Sequence, residues 1–243
     1  MKKIYKTKYN MSLDSWVAVS EIARSHGKIS LLTRPKARGV ADLPQLVLRP
    51  LAALLTVGGL SPLGPVLAAC PADSGGIFQV TTGETCTAVQ SSYIGSTGNS
   101  AIVRADNTGS TIQLTAPNVT VTNTTSSNGY ALETTTNGII NVGGNLTAVT
   151  NGFNGRAIYM AGGTINISGN LVANHLVRAQ GAGIEVSGGM LNVEGTTAIN
   201  TAHADGLRNA GSANFVGDVT INAKDYSQGI LNYSTATFGN NLT

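Results

Sequence analysis

From about residue 98 onward the chain is built of short alternating runs of apolar and polar residues, each closed by glycine or asparagine. Thr164-Ile165-Asn166-Ile167-Ser168 and Met190-Leu191-Asn192-Val193-Glu194 are two such runs. A period of two puts Ile165 and Ile167 on one side of a strand and Asn166 on the other. The closing glycines supply positive φ where the chain must turn sharply.

The runs recur as a larger unit. Segments beginning at Asn128, Asn154, Gln180, Asp205 and Gln228 align with one another. Their leading glycines are Gly129, Gly155, Gly181, Gly206 and Gly229, a nearly constant spacing that shortens slightly toward the end. A weaker copy starts at Gly98. In the copy from Asn154, a turn leads to Ala157-Ile158-Tyr159, a second turn falls at Gly162-Gly163, and a third precedes Asn170-Leu171-Val172-Ala173. Three short strands and three turns in about 25 residues describe one coil of a parallel β-helix. No coil buries its apolar side alone, so stability must come from stacking, with Ile, Val, Leu and Ala in inward ladders. About seven coils fit into residues 70–243, a rod of roughly 30–35 Å at about 4.8 Å per coil. An antiparallel sandwich or barrel is the rival, but its hairpins would not require so constant a period. The predicted fold is all-β, a right-handed parallel β-helix with about 23–26 residues per coil. Positions 70–97 form its N-terminal cap and positions 98–243 its repeats.

Positions 1–69 follow a different pattern. Leu51 to Leu60 is an apolar run of about ten residues, short of the ~20 that cross a bilayer as a helix. Pro62 and Pro65 interrupt any helix there. Val66 and Ala68 suit the positions before a signal peptidase cut ahead of Ala69, and a cut ahead of Cys70 is also compatible. Arg49 stands just before the apolar run. Residues 1–50 thus read as a long basic n-region, and 51–69 as the apolar core and cleavage region of an export signal.

Charge follows the same division. Residues 1–50 carry ten Lys and Arg against three acids, whereas residues 70–243 carry five against nine. The basic character of the whole chain therefore belongs to the leader, and it supports no nucleic-acid partner. Charged residues at 11% and aromatics at 5% are low for a cytosolic enzyme, and the Gly-, Asn-, Thr- and Ser-rich second half suits short strands and tight turns.

The front of the leader resembles the extended signal peptide region of type V secretion systems. The resemblance lies in Lys3-Ile4-Tyr5, in Trp16-Val17-Ala18-Val19-Ser20-Glu21, and in the span from Ala23-Arg24 to Gly27-Lys28. Lys2 departs from the Asn usual at that place. Taken alone, the segment from Ser15 to Arg24 is also compatible with an amphipathic helix of a globular domain. The resemblance implies a Gram-negative source, the inner-membrane export machinery as partner, transit through the periplasm, and a final place at the cell surface, in the outer membrane or outside the cell.

Cys70 and Cys86 are the only cysteines. A disulfide between them would close the interval that separates them and staple the open edge of the first coil. Leu67-Ala68-Ala69-Cys70 also fits a lipobox, in which Cys70 would carry lipid. The disulfide is the expectation, because Cys86 would otherwise be a lone thiol in an exported protein. A close cysteine pair is also common at the start of the autotransporter passengers that this chain resembles.

Little else points to chemistry. Asp73-Ser74-Gly75-Gly76 looks like the nucleophile motif of chymotrypsin-like proteases, but no barrel of the needed size precedes it to hold a triad. His175 and His203 have no second ligand at metal spacing and read as solvated turn residues. The polysaccharide-cleaving enzymes built on β-helices need clustered carboxylates, whereas Asp205, Asp218 and Asp225 fall in separate coils. Asp205 and Arg208 share a face only in some registers. Asn-x-Ser/Thr sequons at Asn118, Asn123, Asn145, Asn166, Asn232 and Asn241 reflect Asn- and Thr-rich turns. No catalytic residue, cofactor or metal is expected.

The sequence reads as the N-terminal part of an autotransporter passenger, with adhesion or autoaggregation as its activity through a host-surface or self-association ligand. The chain stops inside a repeat, where Phe238 to Thr243 align with Phe215 to Thr220. It holds no block of the roughly ten-residue strands of an outer-membrane barrel. A partial reading frame is the expectation, with the C-terminal β-barrel translocator outside it. A polysaccharide-acting enzyme and a two-partner-secretion exoprotein are the alternatives; the Asn-Pro-rich signature of the latter is not found.

Overall fold

A computed structural model describes residues 5–10, 15–20, 70–177, 180–225 and 227–243. The described residues contain strands and turns and no helix. The chain divides into two units, residues 1–60 and 61–243. In the first, β1 (Tyr5–Asn10) and β2 (Ser15–Ser20) pair antiparallel, with Tyr5 opposite Ser20. The stretch from Trp16 to Ser20 is thus strand, not the amphipathic helix its composition also permits. Ile4, Glu21, Gly27 and Lys28 of the leader motif, and Val66, Ala68 and Ala69 of the cleavage region, lie outside the described residues.

The second unit is a three-faced solenoid. Its first face stacks β3 (Phe78–Val80), β6 (Ala101–Ala105), β9 (Tyr130–Thr134), the first half of β12 (Arg156–Ile167), the first half of β14 (Ala182–Val193), β16 (Asp205–Asn209) and β19 (Ile230–Asn232). The second face stacks β4 (Thr85–Ala88), β7 (Thr111–Leu114), β10 (Ile139–Val142), the second halves of β12 and β14, β17 (Ser212–Phe215) and β20 (Thr235–Phe238). The third stacks β5 (Ser92–Gly95), β8 (Asn118–Asn123), β11 (Asn145–Thr150), β13 (Leu171–His175), β15 (Thr197–Ala202) and β18 (Val219–Lys224) as a 6-stranded sheet. Every pairing in the solenoid is parallel, which disposes of the sandwich and the barrel. A further bridge joins Val219 to Leu242.

The alternating pattern is what fills the core. Ile112, Ile140, Ile165 and Leu191 stack inward on the second face, and Val103, Leu132, Ile158, Ile184 and Leu207 on the first, all fully buried. Polar partners in the same strands point outward and bond along the axis. Asn166 Nδ2 donates to Asn141 Oδ1, and Asn192 Nδ2 to Asn166 Oδ1, each at 2.8 Å. Coil length varies more than the glycine spacing predicts. The coil from Leu191 to its partner Ala213 is short, and the one from Val103 to its partner Leu132 is long. Rungs must stay in register to keep their hydrogen bonds, so the turns absorb the difference. The leading glycines are accordingly not one column: Ala182 pairs with Asp205, which puts Gly206 level with Gly183 and not with Gly181.

The corner between the first and second faces is a bend inside a strand. β12 and β14 run through it for 12 residues each, with register shifts around Ala161. Gly163 and Gly189 sit there at φ of 75° and 81°. A Cβ on Gly163 would lie 2.2 Å from the Gly138 carbonyl oxygen of the coil below. Both the dihedral and the approach require glycine. Gly163→Ala is therefore expected to cost about 2–4 kcal/mol in a urea titration, combining left-handed strain with displaced backbone. Gly229→Ala, whose Cβ would meet nothing within 4 Å, should stay within about 0.5 kcal/mol.

Candidate functional site

The N-terminal edge is closed covalently. Cys70 and Cys86 are joined by a disulfide, with Cα atoms 5.5 Å apart, and the Cys86 side is fully buried at the start of β4. The Asp73-Ser74-Gly75-Gly76 segment belongs to this closure. Val89 N–H donates to Asp73 Oδ2 at 2.6 Å, and the buried Tyr93 hydroxyl donates to Asp73 Oδ1 at 2.8 Å. Burial, reinforced by the Asp73 carboxylate, pushes the Tyr93 phenol well above its usual range. Asp73 thus ties the leading segment to the first strand of the third face.

A second polar column runs inside the solenoid, at the corner between the third and first faces. Asn123, Thr150, His175 and Thr201 occupy one register position in successive coils and are all buried. Each satisfies a carbonyl of the neighbouring turns. Asn123 Nδ2 donates to the Tyr130 oxygen at 2.9 Å, Thr150 Oγ1 to Gly129 at 2.7 Å, and Thr201 Oγ1 to Ala204 at 2.6 Å. His175 Nε2 lies 2.8 Å from the Gly152 oxygen. The sequence places His175 in a solvated turn; the structure instead buries it completely as a strand residue, because the column needs a polar donor and not an apolar side chain. Burial lowers the His175 pKa; the Gly152 hydrogen bond opposes this and the nearby Arg156 charge adds to it. His203 does lie in a turn, at φ of 60°, with Nε2 3.0 Å from Asp225 Oδ2. Among the described residues, no group of three or more His, Cys, Asp or Glu could hold a metal ion.

Charge is sorted by face. Among the described residues, the strands of the second and third faces carry one charged side chain, Lys224, at the end of β18. The first face carries Arg104, Glu133, Arg156, Glu185, Asp205 and Arg208. Glu185 Oε2 accepts from Arg156 Nε at 2.8 Å and lies 3.3 Å from Arg208 Nη1, and Arg208 Nη2 donates to Asp205 Oδ2 at 2.7 Å. Arg104 Nε lies 3.3 Å from Glu133 Oε2, and its Nη2 donates to Asp106 at 2.9 Å. Tyr130 and Tyr159 stack beside this chain with ring centroids 4.7 Å apart, and the Arg156 guanidinium sits 5.6 and 5.4 Å from the two centroids. Burial pushes the Glu133 carboxyl up, Arg104 offsetting part of the effect. Burial likewise raises Tyr130.

The register brings Asp205 and Arg208 together, as one reading of the sequence requires, and leaves Asp218 and Asp225 apart from them. Of the sequon asparagines, Asn123 is buried, Asn166 is held in the amide ladder, and Asn118, Asn145, Asn232 and Asn241 are exposed. A shallow groove of about 300 Å³ runs along Asn166, Ser168, Asn192, Glu194, Asn214 and Val216. The carboxylates on the first-face strands each lie within 3.3 Å of a guanidinium nitrogen. No sequence motif marks the tyrosine pair. Only the register, which stacks Tyr130 on Arg156, brings it together.

Residues 1–54 match the family model for the Extended Signal Peptide of Type V secretion system. No curated protein and no solved structure matches the chain. A type V export signal in front of a parallel β-solenoid fits an autotransporter passenger. The match covers the leader, in the stretch where Ile4-Tyr5 and Trp16 to Glu21 carry the resemblance.

Two measurements probe the site. The native His175 pKa lies below that of the unfolded chain, about 6.5, so acid favours the unfolded state. Its contribution is fully present above about pH 6.5 and is lost as pH falls below it. Glu133 has the opposite sign, since its raised native pKa makes protonation favour the fold, and it acts only at the acid end. The urea midpoint is therefore expected to fall between pH 7.5 and 5.5 (about one unit either side of the histidine pKa), and His175→Asn should flatten that fall. The disulfide gives a second test. Reduction should cost about 3 kcal/mol, and the intact mass of the exported protein should show a cystine. A diacylglyceryl adduct on Cys70 would mean that the lipobox reading holds instead.

Proposed function

We propose that this chain is the N-terminal part of an autotransporter passenger that acts as an adhesin or autoaggregation factor, without enzymatic activity. The supporting observation is the order of parts, a type V export signal followed by a parallel β-solenoid whose outward side chains are ladders of Asn and Thr on two faces. Stacked coils with satisfied backbone and paired charges make a stiff, chemically quiet rod. Such a rod suits presentation and contact better than turnover. Carboxylates gather on the first face, as an enzyme would need, but arginines neutralise them.

The partners on this reading are the inner-membrane export machinery, a β-barrel translocator, and a ligand on a host surface or on another cell. The solenoid would cross the periplasm and finish at the cell surface. Protease treatment of intact cells expressing the full gene product tests this. An antibody epitope within residues 70–243 should disappear, and the treated cells should lose clumping or host-cell binding. An epitope that is digested only after the outer membrane is permeabilised would overturn surface display. Clumping and binding that both survive its removal would overturn adhesion.

A further inference from the structure

Three tyrosines belong to the first face. Tyr130 on β9 and Tyr159 on β12 are half-buried, with their rings in contact and Arg156 beside both. Tyr233 follows β19, where its backbone N–H donates to the Asn209 oxygen at 2.7 Å, and it is 70% exposed. In register, Tyr159, Glu185, Arg208 and Leu231 succeed one another up the axis, and Tyr233 stands two residues past Leu231. Tyr159 and Tyr233 are therefore three rungs apart, roughly 14 Å along the axis at about 4.8 Å each. The polar groups between them are already fixed. Glu185 Oε2 holds Arg156 and Arg208, Glu185 Oε1 accepts from Ser187 Oγ at 3.1 Å, and Asp205 holds Arg208. Burial opposes the Arg208 charge, but Asp205, Glu185 and the Tyr233 phenol together outweigh it and raise the Arg208 pKa, so Tyr233 lies within electrostatic reach of Arg208.

We propose that this stretch, from the Tyr130–Tyr159 pair to Tyr233, binds a short uncharged oligosaccharide lying along the axis of the solenoid. This rests on the adhesin reading and names its ligand class and its site. A pyranose has an apolar C–H face and a rim of hydroxyls. Tyrosine rings cover the first at little cost in side-chain entropy. Carboxylates and guanidiniums answer the second, since each keeps acceptor or donor capacity beyond its ion pair. Arg104, Arg156 and Arg208 stand beside Asp106, Glu133, Glu185 and Asp205, so acids outnumber bases here and the surface attracts no polyanion. A charged ligand would also have to break the existing pairs, whereas hydroxyls add to them. The network holds its side chains in place before the ligand arrives, which lowers the ordering cost of binding. The groove beside the amide ladder has no ring in its lining. Among the described residues, the second and third faces carry no aromatic at an outward strand position.

The test is to probe the exported chain with an array of neutral oligosaccharides, with heparin as the polyanion, and to titrate the strongest neutral hit by calorimetry. Tyr233→Ala should weaken that binding roughly tenfold, and Tyr233→Phe should retain it, because the ring remains. Tyr159→Ala should weaken it similarly. Tyr233 is exposed enough for its truncation to leave the fold intact, so the test stands even where Tyr159→Ala fails to fold. Thr147→Ala on the third face should change nothing, and raising salt should leave the affinity unaltered, since no ion pair forms with the ligand. A chain that binds none of the neutral oligosaccharides at about 1 mM would overturn the proposal. So would binding that survives Tyr233→Ala, or salt-sensitive binding of heparin alone. Cells displaying Tyr233→Ala that adhere as well as wild type would refute this site as the adhesive one while leaving the adhesin reading standing. Cells whose displayed chain binds the oligosaccharide but which neither clump nor adhere would refute the adhesin reading and leave the site.

Discussion

The parallel hydrogen-bond ladder between successive coils governs everything else in this molecule. It fixes each residue above its counterpart at about 4.8 Å, so every column must tolerate a stack of whatever it contains. Aliphatic columns stack well and become the core. Amide columns stack well because each Asn donates to the next, as Asn192, Asn166 and Asn141 do. Like charges in adjacent rungs repel, so a charged column must keep them apart or be absent. The structure does both among the described residues: on the first face Glu133 and Glu185 are separated by Tyr159 and flanked by Arg104 and Arg208, and the strands of the other two faces omit charge apart from Lys224. The ladder also sets where glycine is obligatory, since backbone from one coil approaches the corner of the next too closely for a Cβ at Gly163.

Much of this is legible in the sequence because the ladder writes itself as repetition. The period-two runs give strands, the regular recurrence of the larger unit gives parallel stacking, and the glycine pairs at 162–163 and 188–189 give corners. What is not legible is register. The spacing of Gly181 and Gly206 aligns them as one column, yet the coil shortens there and the strand pairing sets Gly206 level with Gly183. His175 is misjudged for a related reason. Its column mates Asn123, Thr150 and Thr201 are different residue types, so similarity does not reveal that all four perform one task on buried carbonyls. The Arg156–Glu185–Arg208–Asp205 chain is equally hidden, because its members are scattered in sequence and converge only once the coils are in step. The leader is the opposite case, where linear motifs carry the signal and no tertiary arrangement is needed to read it.

The same constraint shapes what a surface on this rod can recognise. A face with small uncharged residues in every rung looks nearly alike after a slide of one coil, so it specifies no register. Thr120, Thr147, Val172, Ala198 and Thr220 on the third face form such a row. The first face differs, because one of its columns changes character from rung to rung: Arg104, Glu133, Tyr159, Glu185 and Arg208. A slide of one coil along it exchanges unlike groups and costs free energy. A surface complementary to that column is therefore held to one register, whereas the third-face row holds it to none.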